Sequence, residues 1–352
     1  MATPPLLHAL LTAPGPSGYE TAPAAVWRAA GEAFAPMSAD TMGSQVARVP
    51  GTAGGPLLAL VGHIDEIGLI VTHVSDEGFL HFVGVGGWDP QILVAQRVVL
   101  QSRQGPVPGV IGKKPIHLLK DEDRKKVAEI REMHIDVGAR DGDEARRLVS
   151  VGDVAVIAGE PVELVNGRLS SRSLDNRLGA YVALEAARLV AEAGGAPGEV
   201  AAVAAVQEEI TFGGSRTAAF ALEPAVAIAV DVTHATDAPG IDKRELGSSP
   251  LGSGPVLARG STVHPRVYEL LVEAAEADGI PYTVQASGRS TGTDADAIHV
   301  TRGGVPTGVV SIPLRYMHSP VEVVHLDDVA ACARLVASFA SRLDPGERFS
   351  RI

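Results

Sequence analysis

Two adjacent carboxylates, Glu208 and Glu209, follow the apolar run 200–206 after a single polar residue, Gln207. The run is too short for a typical helix, and it lies between Pro197-Gly198 and a polar glutamine, so it predicts a buried strand of a parallel sheet. Ligands bind at the carboxyl edge of such sheets. Two like charges there raise one pKa strongly unless a cation or a shared proton compensates. The pair therefore predicts a metal site, with a solvated loop as the alternative for these two residues taken alone.

Other metal-capable side chains recur in the same kind of position. His63, Asp231 and His318 each follow a separate predicted strand, and Asp175 stands at the entrance of a predicted helix. The three strands are predicted at 56–61, 225–230 and 305–313. If these strands are neighbours in one parallel sheet, all of these side chains face one edge. Carboxylate and imidazole ligands together suit Zn²⁺, Co²⁺ or Mn²⁺.

Each of these residues also has a structural alternative when it is taken singly. Asp175 could be a helix N-cap, Asp231 a loop acid and His318 a hydrogen-bonded core histidine. The recurrence of the pattern after four predicted strands favours the metal site over a set of unrelated structural roles.

The elements that must position these residues alternate along the chain. Helices are predicted before and after the Pro/Gly-rich break at 13–18, and at about 177–193, 264–278 and 326–343. Strands alternating with helices predict an α/β domain with a doubly wound, mostly parallel sheet and helices on both faces.

Residues 67–163 have a different pattern and interrupt this domain. Short β-like runs separated by glycines, without helical patterns between them, predict a β-rich, barrel-like unit. The runs lie at 68–74, 79–83, 97–101 and 154–157. A charged stretch, 120–131, is expected to form a solvated loop or a short surface helix. We therefore predict a catalytic domain formed by residues 1–66 and 164–352, with residues 67–163 inserted.

Composition narrows the classes of partner. The 352 residues suggest two domains, or one domain with a sizeable insertion. A net charge of -12 and an aromatic content of 4% disfavour nucleic acid and anionic membranes, so a peptide or small molecule is the expected partner. The single cysteine, Cys332, excludes internal disulfides and a thiolate zinc cluster. We expect a cytoplasmic protein, since neither a signal-peptide pattern nor a membrane-spanning apolar run is present.

In combination, these motifs resemble the glutamyl aminopeptidase or tetrahedral (TET) aminopeptidase family of two-metal exopeptidases, which also includes proteins labelled deblocking aminopeptidase or endoglucanase. The resemblance spans nearly the whole chain. Its motifs, in order, are APGPSGYE (13–20), GHIDEIG (62–68), GGWD (86–89), SLDNR (173–177), QEE (207–209), DVTH (231–234) and YMHSP (316–320). Gly62 departs from the alanine that the family usually shows, and residues 210–212 also differ. Neither departure involves a predicted ligand.

The resemblance implies two divalent metal ions per subunit, Zn²⁺ or Co²⁺, with Mn²⁺ as a further option. Asp175 would bridge the two ions. His63 and Asp231 would complete one site, and Glu209 and His318 the other. In the family the bridging aspartate precedes a cis peptide bond that involves no proline.

The resemblance also implies two catalytic roles. Glu208 would be the general base, and Asp65 would accept the second imidazole N–H of His63 and fix its tautomer. Two metal ions about 3.5–4 Å apart would bind and acidify a water molecule, and the free carboxylate would take its proton and return it to the leaving amine. The expected activity is that of a metal-dependent aminopeptidase acting on peptides.

The inserted unit resembles the dimerisation domain of the family, from which dodecameric tetrahedral shells are built. A homo-oligomer is therefore expected, either a dimer or a tetrahedral dodecamer.

Three functional alternatives remain open. A deacylase or carboxypeptidase could use the same metal core, and a carboxypeptidase would need a basic residue such as Arg172, Arg177 or Arg289 beside the metals. A glycoside hydrolase is disfavoured, because it needs two metal-free carboxylates and the acids here are committed to metals. A non-catalytic assembly protein would be expected to lack Glu208 or a ligand.

The Gly/Ser-rich segment 287–296 is expected to line the substrate side, with a plain surface turn as the alternative.

Overall fold

The computed structural model describes residues 2–350. Residue 1 and residues 351–352, which belong to the predicted catalytic segments, lie outside the described residues. The α-helices are α1 (Pro5–Thr12), α2 (Thr21–Gly31), α3 (Pro90–Leu93), α4 (Gly142–Leu148), α5 (Leu174–Glu192), α6 (Glu208–Thr211), α7 (Gly213–Leu222), α8 (Lys243–Leu246), α9 (Pro265–Ala277), α10 (Ala295–Ile298) and α11 (Leu326–Arg342). None of the described helices is long and apolar enough to cross a membrane.

The β-strands form one large sheet and one closed barrel. The strands are β1 (Met37–Ala39), β2 (Gln45–Val49), β3 (Gly55–His63), β4 (Gly68–Val74), β5 (Phe79–Val85), β6 (Arg97–Ser102), β7 (Gly105–Lys113), β8 (Met133–Asp136), β9 (Val154–Ile157), β10 (Val162–Leu164), β11 (Arg168–Ser171), β12 (Gly198–Ala205), β13 (Val226–His234), β14 (Val256–Gly260), β15 (Thr283–Ser287), β16 (Thr307–Arg315) and β17 (Glu322–His325).

The large sheet confirms the predicted fold class. Its strand order is β1-β2-β12-β3-β13-β16-β17-β11-β10, and β14 pairs with both β15 and β16. The four central strands, β12, β3, β13 and β16, are parallel neighbours. The outer strands β1, β2, β10, β11 and β17 add antiparallel pairs on both sides. The sheet is therefore mixed, with a parallel centre.

Helices cover both faces of the parallel centre. In β3, Leu58 and Leu60 join the core on the side of α5 and α11, whereas Ala59 and Val61 join the core beneath α7. Successive side chains of a strand point to opposite faces, so a strand that is covered on both sides must be apolar throughout. This is why the central strands appear in the sequence as continuous apolar runs.

Helix α5 packs against β3 at a pair of glycines. A Cβ atom on Gly62 would lie 2.2 Å from the carbonyl carbon of Gly179, so no larger residue fits while the two backbones remain this close. The close contact brings the first turn of α5 beside the carboxyl end of β3.

The inserted strands form a closed barrel in the order β4-β5-β8-β7-β6-β9. The barrel has its own core, which includes Leu69, Leu80, Leu100 and Ile135. The charged stretch 120–131 was expected to form a solvated loop or a short surface helix. Two short 3₁₀ helices, 123–125 and 130–132, are found there. Strand β10 pairs with β11 in the large sheet. The division at residues 66/67 and 163/164 stays a prediction.

Candidate metal centre

The candidate site lies where the parallel strands end. His63 is the last residue of β3, and Glu208 and Glu209 begin α6, shortly after β12. Asp231 was predicted to follow its strand, but it lies inside β13, which continues to His234 because residues 232–234 still pair with β16. Asp231 nevertheless opens onto the same edge, since it is close to the carboxyl end.

Asp175 and His318 lie in irregular backbone beside this edge. Asp175 is near the start of α5, has φ -78° and ψ 108°, and is joined to Asn176 by a cis peptide bond, as the resemblance implies. His318 lies between β16 and β17 with φ 60°, in the left-handed region. Both residues therefore depend on local contacts that a regular helix or strand does not supply.

The carboxylate of Asp175 lies between the two histidines. Its Oδ1 atom is 3.3 Å from His63 Nε2, and its Oδ2 atom is 3.4 Å from His318 Nε2. Glu209 Oε2 lies 3.3 Å from His318 Nε2, and Asp231 Oδ1 lies 4.0 Å from His63 Nε2. One carboxylate thus faces a His–Asp pair on one side and a His–Glu pair on the other.

Glu208 lies on the His63 side, with Oε2 3.7 Å from His63 Nε2. By proximity alone, the donor atoms of His63, Glu208 and Asp231 group within 4.8 Å, as do those of His63, Asp175 and Glu209. Those groupings omit His318. The arrangement around Asp175 is favoured, because each of its oxygens faces a different histidine and the contact between Glu209 and His318 is then explained. It leaves Glu208 free.

Three acids of the site, Glu208, Glu209 and Asp231, resist ionisation. Burial raises the pKa of Glu208 to about 10; His63 opposes this increase, while Asp231 and Glu209 add to it. Burial is also the main cause that raises the pKa of Asp231 and of Glu209. Several buried carboxylates at close range therefore call for positive charge among them.

Without a metal ion, the histidines supply that charge. Burial opposes protonation of His63, but the nearby Glu208 and Asp175 outweigh it and raise the pKa of His63. Hydrogen bonds to Asp175 and Glu209 raise the pKa of His318 to about 11. Burial favours the neutral form of Asp175, yet the two imidazoles together lower its pKa. A divalent cation could replace these protons.

The residues present fit such a cation. A cavity of about 20 Å³ is lined in part by Asp175, Glu209 and His318. This is enough for roughly one water molecule or ion. Glu209 Oε1 is buried and has no hydrogen-bond partner among the described residues. A buried carboxylate oxygen beside a cavity of this size is a ready ligand position.

Asp65 connects His63 to the first turn of α6. Its Oδ1 atom lies 3.3 Å from His63 Nδ1, the nitrogen that faces away from the candidate metal position. Its two oxygens also accept hydrogen bonds from the backbone N–H groups of Glu208 and Glu209, each at 3.1 Å, and from Ser17 Oγ at 2.6 Å. Ser17 belongs to a quoted motif, but the sequence pattern predicts no role for it.

Two supporting contacts to His318 and Asp175 were also missed. Glu322 accepts hydrogen bonds from the backbone N–H groups of both residues. The carbonyl oxygen of Gly87, in the barrel, lies 3.0 Å from His318 Nδ1. The sequence signal for Glu322 is an acid at the second position of the otherwise apolar run 321–324, and the signal for Gly87 is its place in a quoted motif.

Two of the three basic residues near the site are already paired. Arg172 and Arg177 both pair with the buried carboxylate of Glu66. Arg177 also donates to the carbonyl oxygen of Ala13 at 3.0 Å, and burial lowers its pKa to about 10. Arg289 is exposed in the loop after β15. Arg172 and Arg177 are thus occupied by Glu66 and backbone carbonyls, which weakens the carboxypeptidase alternative.

The segment 287–296 lies beside Asp231. Several of its residues line a cleft of about 380 Å³, together with Val232 and Thr233 of β13 and Val309 and Ser311 of β16. Asp296 accepts hydrogen bonds from the backbone N–H groups of residues 291 and 292 and so braces the loop. Asp294 is buried and raises the pKa of Asp231, which places it close to the site. The segment therefore lines a cleft next to β13, and its role on the substrate side stays a prediction.

The chain matches the family model described as M42 glutamyl aminopeptidase over residues 43–335. It is 35% identical over 344 residues to the lysyl aminopeptidase of Pyrococcus furiosus, and this covers 97% of each chain.

Solved structures agree with the sequence comparisons. A TET aminopeptidase from a marine sediment archaeon of the Thaumarchaeota superposes with a TM-score of 0.91 at 36% identity, covering 96% of each chain. The TET1 peptidase of Pyrococcus horikoshii superposes with a TM-score of 0.85 at 31% identity, covering 96% of this chain and 99% of that one. The latter is described as assembling into a tetrahedron or a large octahedral shell.

Proposed function

This chain belongs to the M42 glutamyl aminopeptidase family and is a metal-dependent aminopeptidase, and we propose that its chemistry takes place at the edge defined by Asp175, with two divalent ions and Glu208 as the general base. One observation carries the proposal. The carboxylate of Asp175 directs one oxygen to each of two histidines that come from different parts of the sheet.

Five residues would hold the ions. Asp175 would be shared, His63 and Asp231 would complete one site, and Glu209 and His318 the other. Bound divalent ions would lower the pKa of a water molecule and polarise the scissile carbonyl group. Imidazole and carboxylate ligands suit Zn²⁺ or Co²⁺, with Mn²⁺ as a further candidate.

Glu208 would take a proton from the attacking water and return it to the leaving amine. Its carboxylate lies beside the candidate ligands, but at 3.7 Å from His63 Nε2 it is outside hydrogen-bond range. Asp65 accepts a hydrogen bond from the backbone N–H of each of the two glutamates. These contacts would hold the side chains of Glu208 and Glu209 in different positions relative to the ions. A base must be ionised, and nearby cations would lower the raised pKa of Glu208.

The charge around the site supports cleavage at the amino end of a peptide. The acids outnumber the free basic groups, because Arg172 and Arg177 are paired with Glu66. A protonated α-amine would be attracted to this edge, whereas a terminal carboxylate would lack a buried basic partner. The cleft beside Asp231 would receive the side chain of the first residue of the substrate.

The assembly is proposed to be a homo-oligomer formed through the inserted barrel. Several large apolar side chains are exposed on this unit, which is typical of a contact surface rather than of an isolated domain. They include Val83, Val110, Ile116, Leu118 and Val127. A shell like that of the Pyrococcus horikoshii peptidase would use this surface, and a dimer is the simplest alternative.

A peptide with a free amino end, its N-acetylated form and its C-terminally amidated form test the proposal. The metal-loaded protein should shorten the free and the amidated peptides stepwise from the amino end at similar rates, and it should leave the acetylated peptide intact. Mass spectrometry of a time course records the order of loss. Release from the carboxyl end first, or equal cleavage of the acetylated peptide, would favour a carboxypeptidase or a deacylase.

A further inference from the structure

A buried carboxylate, Glu322, connects two candidate metal ligands that are distant in the chain. Its side chain is almost fully enclosed, with 2% of the residue exposed. Oε2 accepts a hydrogen bond from the backbone N–H of Asp175 at 3.0 Å, and Oε1 accepts one from the backbone N–H of His318 at 2.9 Å. Each oxygen of one carboxylate therefore fixes the backbone of a different candidate ligand.

Both backbone segments need such a partner. Asp175 lies in the first turn of α5, where N–H groups have no acceptor within the helix. His318 lies between β16 and β17, where its N–H is not part of the sheet ladder. A buried N–H without an acceptor is strongly disfavoured. Glu322 satisfies both groups with one side chain.

Glu322 itself is held rigidly. It is the first residue of β17, and its backbone is in register with Ser171 of β11. The neighbouring Val323 is in register with both Ser170 of β11 and Arg315 of β16. A side chain anchored between two strands can set the positions of the groups that bind to it.

We propose that Glu322 is a positioning residue for the metal centre: it holds the backbone of Asp175 and of His318 so that their side chains meet at one ion. The proposal rests on the two-metal site proposed above. It predicts that Glu322 affects metal affinity through the other two residues, without being a ligand itself.

The geometry also predicts which substitutions fail. Gln has the size of Glu but offers one acceptor oxygen, and its NH₂ group would face an N–H donor. Asp keeps the negative charge but is one methylene shorter, so it cannot reach both N–H groups. Glu322→Gln and Glu322→Asp should therefore both weaken metal binding. If charge alone mattered, only Glu322→Gln would do so.

Asp328 provides a matched control. It is a buried carboxylate in α11 that accepts two backbone N–H groups, from Gly252 and Gly254, each at 2.7 Å. It makes no contact with the candidate ligands among the hydrogen bonds and ion pairs of residues 2–350. Asp328→Asn thus disturbs the same kind of interaction at a distance from the metal centre.

The experiment measures Zn²⁺ binding directly. Wild type, the two Glu322 variants and Asp328→Asn are stripped of metal and dialysed against a series of buffered free Zn²⁺ concentrations, and the bound Zn²⁺ is determined by elemental analysis. We expect both Glu322 variants to bind about 10- to 100-fold more weakly, the usual effect of losing a partner of a metal ligand. Asp328→Asn should bind as wild type does. Turnover by the Glu322 variants should recover as free Zn²⁺ rises through a range in which wild type is already saturated.

Three outcomes would overturn the proposal. They are wild-type affinity in Glu322→Gln, wild-type affinity in Glu322→Asp with a loss in Glu322→Gln, and an equal loss in Asp328→Asn. The second would assign the effect to charge, and the third to general destabilisation. A wild-type protein that binds fewer than two ions per subunit would instead count against the proposed function.

Discussion

Replacing Glu208 with Gln separates the roles of the two adjacent acids. The side chain keeps its size but can no longer take a proton from water. A general base contributes about 10²- to 10⁴-fold to a rate, and we expect the upper part of this range here. Glu208 is buried, and the adjacent Glu209 is held by His318, so Glu209 is not free to replace Glu208 as the base. A loss of about 10³- to 10⁴-fold in kcat corresponds to about 4–5 kcal/mol.

Metal content and thermal stability should not fall in Glu208→Gln, although its activity does. Glu208 is not among the residues assigned to the ions, so Glu208→Gln should retain two ions per subunit. The folded protein without metal disfavours the ionised form of Glu208, because burial raises its pKa to about 10. At neutral pH Glu208 therefore has to take up a proton on folding, which costs stability, and a neutral Gln has no such cost, so the Tm of the metal-free variant should equal or exceed that of metal-free wild type.

The assay combines elemental analysis, kcat on a chromogenic aminoacyl substrate and thermal unfolding. Glu209→Gln is the matched control, since it makes the same change at the adjacent position. It should weaken metal binding, because Glu209 is an assigned ligand. If Glu208→Gln kept activity within tenfold of wild type, the assignment of the base would be wrong. If it lost an ion, Glu208 would be a ligand, as its grouping with His63 and Asp231 allows.

Three further predictions address the bridge, the barrel and pH. Asp175→Asn should lose both ions in elemental analysis, and retention of one ion at wild-type affinity would show that the carboxylate is not shared. Replacing residues 67–163 by a short linker should give a smaller soluble species in light scattering, whereas an unchanged large particle would place the assembly contacts elsewhere. Without metal, the Tm should fall between pH 6 and pH 9. Hydrogen bonds to the acids Asp175 and Glu209 raise the pKa of His318 from 6.5 to about 11, so its stabilising contribution is full below 6.5 and is lost as pH rises through 11. Burial raises the pKa of Glu208 from 4.5 to about 10, so its ionisation also costs stability as pH rises above 4.5. Metal-loaded protein should show a weaker dependence, and a Tm of metal-free protein that rises over this interval would contradict the reasoning.

The central strands could be predicted from the sequence because their burial produces a local pattern of apolar residues. A strand covered on both faces is apolar at every position, as in 200–206, and the polar residues that follow it mark the edge of the sheet. Strands at the margins of a sheet have a weaker sequence pattern. In β7, Pro106 and Pro108 argue against a strand, yet both lie where β7 pairs with β6 alone, before its pairing with β8 begins at Val110.

The types of the site residues were likewise available from the chain. His63, Glu208, Glu209 and His318 follow strands or belong to ordered motifs, and these are local features. The sequence left open what the basic residues do, since pairing partners that are distant in the chain have no fixed spacing. The fold decides this by placing Glu66 against Arg172 and Arg177.

The sequence by itself determined which side chains could bind metal and at which edge of the sheet they would lie. Only the tertiary structure decided that the two oxygens of Asp175 face different histidines, and that Glu322 holds the backbone of both Asp175 and His318. The physical reason is that alternation along a strand and the edge rule act over a few residues, whereas atom-to-atom contacts depend on how elements pack. Here that packing includes the approach of α5 to β3, which the absence of side chains at Gly62 and Gly179 permits.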